Sequence, residues 1–321
     1  MDNKYGISVR TMDLGSGPSG QTFSFGLRTY PAGIALAKGT SRYGFVGFVP
    51  VQQGVATKDY VTGGMNERGL SCDQQTLLGT VYPASTNTSA DVSVDNLCEV
   101  LVGACANVDE VRDMLESGKL APHGPCLAGG QHWVLRDAQG KSLVIEFVGG
   151  SMRLFDDLND NGETGFGIMT NEPQFQWHVE NARHLRWKQA NARPSVSVPG
   201  SFYPDERFLR ILLLKSAMPQ PNSTQEAVVQ AIHVLNSITV PMGSQLGTDS
   251  SKGEGQGDHT LYGVVYDHQN KVVYWRTQTN MNIARLQLAD AQLEPGNKPG
   301  TLHFDKGALP WFTDAASALK R

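Results

Sequence analysis

The order in which extended and helical patterns follow one another constrains the fold of this chain more than any other feature of its sequence. Alternating apolar and polar residues predict strands through much of the first half, and a three-strand meander is predicted at 132–155. Helical periodicity at 94–115 separates these strand regions, and three further helices precede a predicted hairpin at 260–275. This order favours one layered α+β domain over 1–321 rather than repeated βαβ units.

Capping signals mark where the helices of the second half begin. Asn171 is predicted to be the N-cap, with a proline in the first turn, of a helix that reaches about Gln189. A second helix is predicted over 204–218. Ser223 caps a predicted third helix, which a polar, glycine-rich loop at 243–258 follows.

Charge and hydropathy argue against several classes of partner. The 27 basic and 31 acidic residues give a net charge of −4 and are interspersed, so we expect no polyanion-binding surface and no nucleic-acid partner. The sequence contains no run of about 18 apolar residues, so we expect no membrane span. The residues after Met1 contain no apolar signal-peptide core, and the compartment stays open.

The cysteines and histidines give no sign of a metal or a cofactor. The four cysteines form no C-x-x-C pair, and the eight histidines are scattered without a metal-binding spacing. Cys98 and Cys105 lie in a largely apolar stretch, which predicts small buried side chains rather than a disulfide scaffold. We therefore expect no metal and no cofactor.

Two short motifs are better explained as connecting segments. The residues at 15–20 match G-x-G-x-x-G, but a proline interrupts the match and a strand pattern follows it, which favours a turn over a dinucleotide site. The residues from Asp157 onward imitate a calcium loop, but Ile168 stands where calcium needs a bidentate glutamate. We therefore predict a turn and a solvated loop at these two places.

Four separate segments carry more information together than any of them does alone. They read RTMD at 10–13, GMNERGL at 64–70, TNEPQFQWHV at 170–179 and PGSFYPDERFLR at 199–210. In this order and at this spacing they resemble the choloylglycine hydrolase family, which includes bile salt hydrolases and penicillin V acylases. The resemblance extends over nearly the whole chain, as far as the predicted hairpin.

The resemblance implies an N-terminal nucleophile hydrolase fold, a four-layer αββα sandwich in which two antiparallel sheets stack between helices. It implies hydrolysis of a linear, non-peptide amide C–N bond in a small molecule, such as a conjugated bile salt, penicillin V or another N-acyl amide. The segment before Pro199 is shorter than the loop that joins bile salt hydrolase subunits into tetramers. This difference argues against that tetramer, and a homo-oligomer stays possible.

The nucleophile of this family is an N-terminal cysteine whose own α-amine is the base, since such an amine titrates near pH 7.7–8. This sequence begins with Met1, and the family cysteine would lie further upstream of Arg10 than its first residues reach. We therefore expect the first family strand to be truncated here, through a start codon assigned too far downstream. Cys72 is no replacement, because it is internal and has no free amine. The alternative is a catalytically inactive pseudoenzyme that binds an acyl ligand without turnover.

Five residues match the family's site by motif position. The resemblance implies that Arg10 favours the thiolate, that Asp13 holds the α-amine and that Arg207 adds positive charge near the reacting centre. It implies that Asn171 donates its side-chain amide to the tetrahedral oxyanion. Thr76 falls where the family often has asparagine or tyrosine as a second oxyanion residue, so only its backbone N–H is expected to serve there.

Each of these residues also has a simpler explanation. Arg10 and Asp13 could form a cross-strand ion pair, Asn171 could be a helix cap alone, and Arg207 could be a solvated arginine in a first helical turn. Arg10 and Asp13 are three residues apart, so on an ideal strand they point to opposite faces. If both line one site, a bulge must lie between them, near Met12.

Overall fold

The computed structural model describes residues 5–15, 23–52, 55–56, 60–157, 165–191, 197–244, 257–304, 307 and 309–313. Most of the glycine-rich match at 15–20, the middle of the calcium-like loop and most of the loop at 243–258 lie outside the described residues. The interpretations of these segments therefore stay predictions.

The strands, in chain order, are β1 (Ile7–Leu14), β2 (Ser24–Tyr30), β3 (Phe45–Gln52), β4 (Val55–Ala56), β5 (Gly63–Asn66), β6 (Ser71–Thr76), β7 (Asp91–Ser93), β8 (Ala121–His123), β9 (Gln131–Arg136), β10 (Ser142–Val148), β11 (Ser151–Asp156), β12 (His259–Asp267), β13 (Val272–Thr277), β14 (Asn280–Gln287) and β15 (Thr301–His303). The helices are α1 (Leu97–Ala104), α2 (Val108–Glu116), α3 (Phe175–Asn191), α4 (Pro204–Ala217) and α5 (Thr224–Ile238).

Two antiparallel sheets are stacked face to face. In the described chain the larger sheet has the strand order β11-β10-β9-β6-β5-β3-β2-β15, with β4 paired to β3, and the smaller sheet has the order β1-β12-β13-β14. Aromatic side chains fill the space between them. Phe48 of the larger sheet stacks on Tyr262 of the smaller sheet, with ring centroids 4.9 Å apart.

Helices cover the outer faces of both sheets. Alternate residues of β9 point to opposite faces, so Trp133 belongs to the buried cluster of α1 and α2, whereas Val134 belongs to that of α3 and α4. On the smaller sheet, Leu235 of α5 packs against Val9 and Val265. This arrangement confirms the predicted α+β, four-layer αββα architecture.

Most of the predicted elements form, with one helix start misplaced. The meander at β9–β11, the hairpin of β12 and β13 and the Ser223 cap of α5 are confirmed, with Ser223 Oγ accepting from the N–H of Glu226 at 3.1 Å. The predicted start at Asn171 is wrong, because α3 begins at Phe175. The N–H of Phe175 donates to the Glu146 carboxylate at 2.9 Å, so a distant side chain satisfies this helix end.

One cysteine prediction also needs correction. Cys98 is buried as expected, but it forms a disulfide with Cys72, which joins β6 to α1. Cys105 is buried and free. Within the part of the chain that the structure describes, no helix has the length and apolar character to cross a bilayer, and no group of three or more His, Cys, Asp or Glu is arranged to hold a metal ion.

Candidate active site

A cavity of about 630 Å³ runs along one edge of β1. Every residue from Ile7 to Leu14 lines it. Successive side chains of a strand point to opposite faces of its sheet, so a cavity that all of them reach must lie beside the strand. β12 occupies the other edge of β1, and further walls come from β6, α4, α5 and the segment 167–171.

The five residues selected from the sequence meet in this cavity. Its lining includes Arg10, Asp13, Thr76, Asn171 and Arg207. They come from β1, from the end of β6, from the segment before α3 and from the first turn of α4. The fold therefore gathers four parts of the chain that are far apart in sequence.

A β-bulge allows Arg10 and Asp13 to reach the same cavity. Met12 and Asp13 are adjacent in β1, but the register against β12 shifts between them, so that Asp13 faces Thr260 and Leu261 is the extra residue. The sequence predicted a bulge at this point, and the register confirms it.

The carboxylate of Asp13 is held by three donors. Arg207 Nη1 lies 3.2 Å from Oδ2 of Asp13, Thr11 Oγ1 donates to the same oxygen at 3.0 Å, and Thr260 Oγ1 donates to Oδ1. Burial raises the pKa of Asp13, and Arg207 and the two hydroxyls oppose that rise. Because Asp13 pairs with Arg207, the explanation of Arg10 and Asp13 as a simple cross-strand ion pair is wrong.

Arg10 is buried between the two sheets and has its own set of acceptors. Nη1 donates to the Tyr262 hydroxyl at 2.9 Å, and Nη2 donates to the main-chain carbonyl of Gln74 at 2.8 Å. Nε lies 3.8 Å from Oδ1 of Asp73. The two arginines of the site therefore have different carboxylate partners.

Both ends of the Asn171 side-chain amide are fixed. Nδ2 donates to the main-chain carbonyl of Thr76 at 2.9 Å, and Oδ1 accepts from Arg207 Nη2 at 2.6 Å. A side-chain amide has two N–H donors, so the bond to Thr76 uses only one of them. Since α3 begins at Phe175, the explanation of Asn171 as a helix cap is wrong.

Arg207 links the other site residues. It lies in the first turn of α4 but is only 8% exposed, so its explanation as a solvated helix residue is wrong. Its Nε donates to the main-chain carbonyl of Phe202 at 2.9 Å, which leaves the two Nη atoms for Asp13 and Asn171. This planar fork sets the spacing between the carboxylate and the amide.

Sequence reasoning missed the residues that support these side chains. The missed residues are Asp73, Gln74, His178, Thr260 and Tyr262. His178 Nε2 lies 3.1 Å from the main-chain carbonyl of Asn171, and its ring stacks on Phe208. A signal was available for two of them: Asp73 is an acidic residue inside a predicted extended stretch, and His178 lies in the motif at 170–179.

None of the four cysteines, all of which lie among the described residues, lines the cavity. Cys72 and Cys98 are joined to each other, and burial raises the pKa of Cys105 and of Cys126 to about 12. A thiol with so high a pKa has little thiolate at neutral pH, and the thiolate is the nucleophile. The four cysteines therefore do not supply a nucleophile to this site.

Comparisons with known proteins identify the family of this chain and proteins of similar fold. The family model of linear amide C–N hydrolases, choloylglycine hydrolase family, matches residues 2–303. A bile salt hydrolase/transferase of Clostridium perfringens is 25% identical over 296 residues, which cover 83% of each chain. The fold is similar to that of a variant of conjugated bile acid hydrolase from Clostridium perfringens, with a TM-score of 0.76, 22% identity and 94% of both chains covered. It is also similar to penicillin V acylase from Agrobacterium tumefaciens, with a TM-score of 0.75, 21% identity and coverage of 94% and 88%.

Proposed function

The chain belongs to the choloylglycine hydrolase family of linear amide C–N hydrolases, and we propose that it cleaves a small-molecule N-acyl amide by acyl transfer to an N-terminal cysteine. The observation that carries this proposal is the meeting of Arg10, Asp13, Asn171 and Arg207 in one cavity. Donors and charges fixed in advance around a reacting centre are what such a reaction requires.

The proposed nucleophile belongs to a strand that precedes residue 1 and lies beside β1. Two observations support this placement. The cavity runs along the edge of β1 opposite β12, where an added strand would continue the smaller sheet, and no cysteine of the 321 residues lines the cavity. A strand there would bring its own N-terminus to the cavity that holds Asp13 and Asn171.

The proposed reaction has two steps. The sulfur attacks the amide carbon while the α-amine of the same cysteine takes the thiol proton, and the negative charge on the carbonyl oxygen is met by Nδ2 of Asn171. The C–N bond breaks, the α-ammonium proton passes to the leaving nitrogen, and an acyl thioester remains. Water then attacks the thioester, the α-amine takes its proton, and the carboxylic acid leaves as the thiol is restored.

Asp13 and Arg207 are proposed to prepare this site before the substrate arrives. Asp13 accepts a hydrogen bond from the α-amine and orients it toward the thiol. Arg207 holds Asp13 and Asn171 at a fixed separation through its two Nη atoms. Thr76 is proposed to donate its backbone N–H to the oxyanion, while its carbonyl holds the Asn171 side chain.

The cavity favours an apolar acyl group. Its lining includes the apolar and aromatic side chains of Leu14, Phe23, Phe25, Tyr60 and Leu127. Ligand pockets of this kind combine apolar walls with a few polar groups that fix orientation. We therefore propose an aromatic, steroid or aliphatic acyl group, as in penicillin V, a conjugated bile salt or an acyl-homoserine lactone.

A second function is favoured by one observation. The cavity carries positioning residues but no cysteine of the 321 residues, which is what a pseudoenzyme that binds an acyl ligand without turnover would show.

The test compares the 321-residue chain with a cysteine-bearing form, the same chain extended at its N-terminus by one strand that begins with cysteine. We expect hydrolysis of at least one of penicillin V, a glycine-conjugated bile salt and an acyl-homoserine lactone by the cysteine-bearing form alone. This activity should be blocked by iodoacetamide and lost when the terminal cysteine is replaced by alanine. Calorimetric binding without turnover by both forms would favour the pseudoenzyme, and turnover by the unextended chain would show that the nucleophile is misassigned.

A further inference from the structure

Arg10 is a buried cation that needs a counter-charge. It is 4% exposed, and removing the partner of a buried charge is strongly destabilising. Among the described residues, two carboxylates line the cavity, those of Asp13 and Asp73. Asp13 is engaged with Arg207 at 3.2 Å, whereas Oδ1 of Asp73 lies 3.8 Å from Nε of Arg10. Asp73, which is only 2% exposed, is therefore the direct counterion of Arg10.

The backbone beside Asp73 leaves room for this pair. Asp73 in β6 pairs with Gly63 in β5. A Cβ atom on Gly63 would overlap Oδ1 of Asp73 and would lie 3.0 Å from Nη1 of Arg10. The Tyr266 hydroxyl donates to the same Asp73 oxygen at 3.1 Å. A larger residue at position 63 would therefore push the carboxylate away from the guanidinium.

The charged and titratable groups around Asp73 come from three elements. They are Arg10 on β1, Arg136 on β9, and Tyr262 and Tyr266 on β12. Burial raises the pKa of Asp73, and both arginines and the tyrosine hydrogen bond oppose that rise. Arg10 itself faces Tyr262 and Tyr266 on β12 as well as Asp73, and Asp13 lies further along its own strand.

We propose that Asp73 is a positioning residue of the active site, which holds the Arg10 guanidinium and offsets part of its charge, and so sets how strongly Arg10 favours a thiolate beside it. This inference rests on the proposed function, in which Arg10 lies next to the N-terminal thiol. Arg10 alone would stabilise the thiolate more than the pair does, while the pair keeps the guanidinium in a single orientation. Asp73 thus acts on the nucleophile by holding Arg10 in place and by offsetting part of its charge.

The test measures the pKa of the terminal thiol from the pH dependence of its alkylation by iodoacetamide in the cysteine-bearing form. Asp73→Asn keeps the side-chain shape and an acceptor for Tyr266, and Arg10 keeps its bonds to Tyr262 and Gln74. Only the negative charge is lost, so the thiol pKa should fall by about one unit, which is about a tenfold rise in the ratio of thiolate to thiol at a given pH. In an Arg10→Met background the guanidinium that Asp73 holds and offsets is gone, so the same substitution should change the thiol pKa much less.

Asp137→Asn is the matched control. Asp137 is also 2% exposed, but it accepts from the main-chain N–H groups of Val108, Gln139 and Lys141 and does not line the cavity. It should lower the melting temperature without moving the thiol pKa. Gly63→Ala provides a second perturbation of the pair and should move the thiol pKa in the same direction as Asp73→Asn, by less.

An unchanged or higher thiol pKa in Asp73→Asn, or an equal fall in the Arg10→Met background, would overturn the inference. Alkylation needs no amide substrate. Failure of the cysteine-bearing form to hydrolyse any substrate would therefore reject the proposed function, while the alkylation profiles would still decide the role of Asp73.

Discussion

Replacing Asn171 by aspartate separates the proposed catalytic role of this residue from its structural one. The new carboxylate would keep an oxygen for Arg207, whose Nη2 now lies 2.6 Å from Oδ1 of Asn171. The substitution removes both N–H donors, including the one that bonds the Thr76 carbonyl at 2.9 Å. It also places a negative charge where the oxyanion would form.

The structural cost of this substitution should be small. Losing the bond to Thr76 costs about 1 kcal/mol, and the unpaired carbonyl adds about 1–3 kcal/mol if water does not reach it. The bond to Arg207 becomes charge-assisted and gains about 1 kcal/mol in return. The net change in the free energy of unfolding is therefore about 1–3 kcal/mol, which for a chain of this length shifts the melting temperature by only a few degrees.

The kinetic cost should be much larger. Removal of one oxyanion donor lowers kcat by about 10²–10³, which corresponds to about 2.7–4 kcal/mol. The assay is steady-state hydrolysis by the cysteine-bearing form, with the melting temperature measured on the same preparation. The matched control is Asn280→Asp, where Nδ2 also donates to main-chain carbonyls but lies outside the cavity of β1, so its kcat should not change. Turnover within a few-fold of the unsubstituted enzyme would refute the oxyanion role of Asn171.

Three further predictions concern other parts of the structure. Replacing Cys72 and Cys98 by alanine removes a disulfide between cysteines that are 26 residues apart in sequence. The free energy of unfolding, measured by denaturant titration, should fall by about 3.5 kcal/mol. An unchanged midpoint would contradict the disulfide. Burial lowers the pKa of His268 from 6.5 to about 4. As the pH falls, the unfolded chain therefore protonates this imidazole before the folded chain does. The free energy of unfolding should fall by about 3 kcal/mol in total as the pH drops from about 6.5 toward 4. His268→Asn should flatten this pH dependence of unfolding, and an unaltered slope would assign it to another group. Arg207→Lys replaces the planar fork by a single ammonium nitrogen, which does not reproduce the separate contacts of Arg207 with Asp13, Asn171 and the Phe202 carbonyl. We expect kcat of the cysteine-bearing form to fall about tenfold to a hundredfold, whereas equal turnover would show that only the charge matters.

Local sequence patterns were sufficient to predict most of the secondary structure. The cap of α5 at Ser223 and the hairpin of β12 and β13 depend on residues a few positions apart, so their signals are complete within a short window. The start of α3 was missed for the opposite reason. The Asn171 side chain is held by Thr76 and Arg207, and the first N–H of the helix is satisfied by Glu146, a residue of the larger sheet.

For the candidate site, too, the sequence predicted one part and the tertiary structure decided the other. Its five members were recognisable from the sequence, because four of them belong to the motifs and Thr76 lies at a fixed distance after one of them. The bulge between Arg10 and Asp13 was also predictable, from the two-residue period of a strand. The partners of these residues were not recognisable. Arg10 could have paired with Asp13 as far as the sequence shows, yet the structure pairs it with Asp73.

The sequence by itself determined which side chains are available and which segments are strands and helices, because backbone periodicity and capping act over a few residues. Only the tertiary structure decided which charges neutralise each other, since that depends on the stacking of the two sheets and on the register of β1 against β12. Asp73 reaches Arg10 from the opposite sheet, and Thr260 reaches Asp13 because one residue of β12 is bulged out. Ion pairs and hydrogen bonds depend on separations of a few ångströms, and no local pattern encodes separations between segments that are distant in the chain.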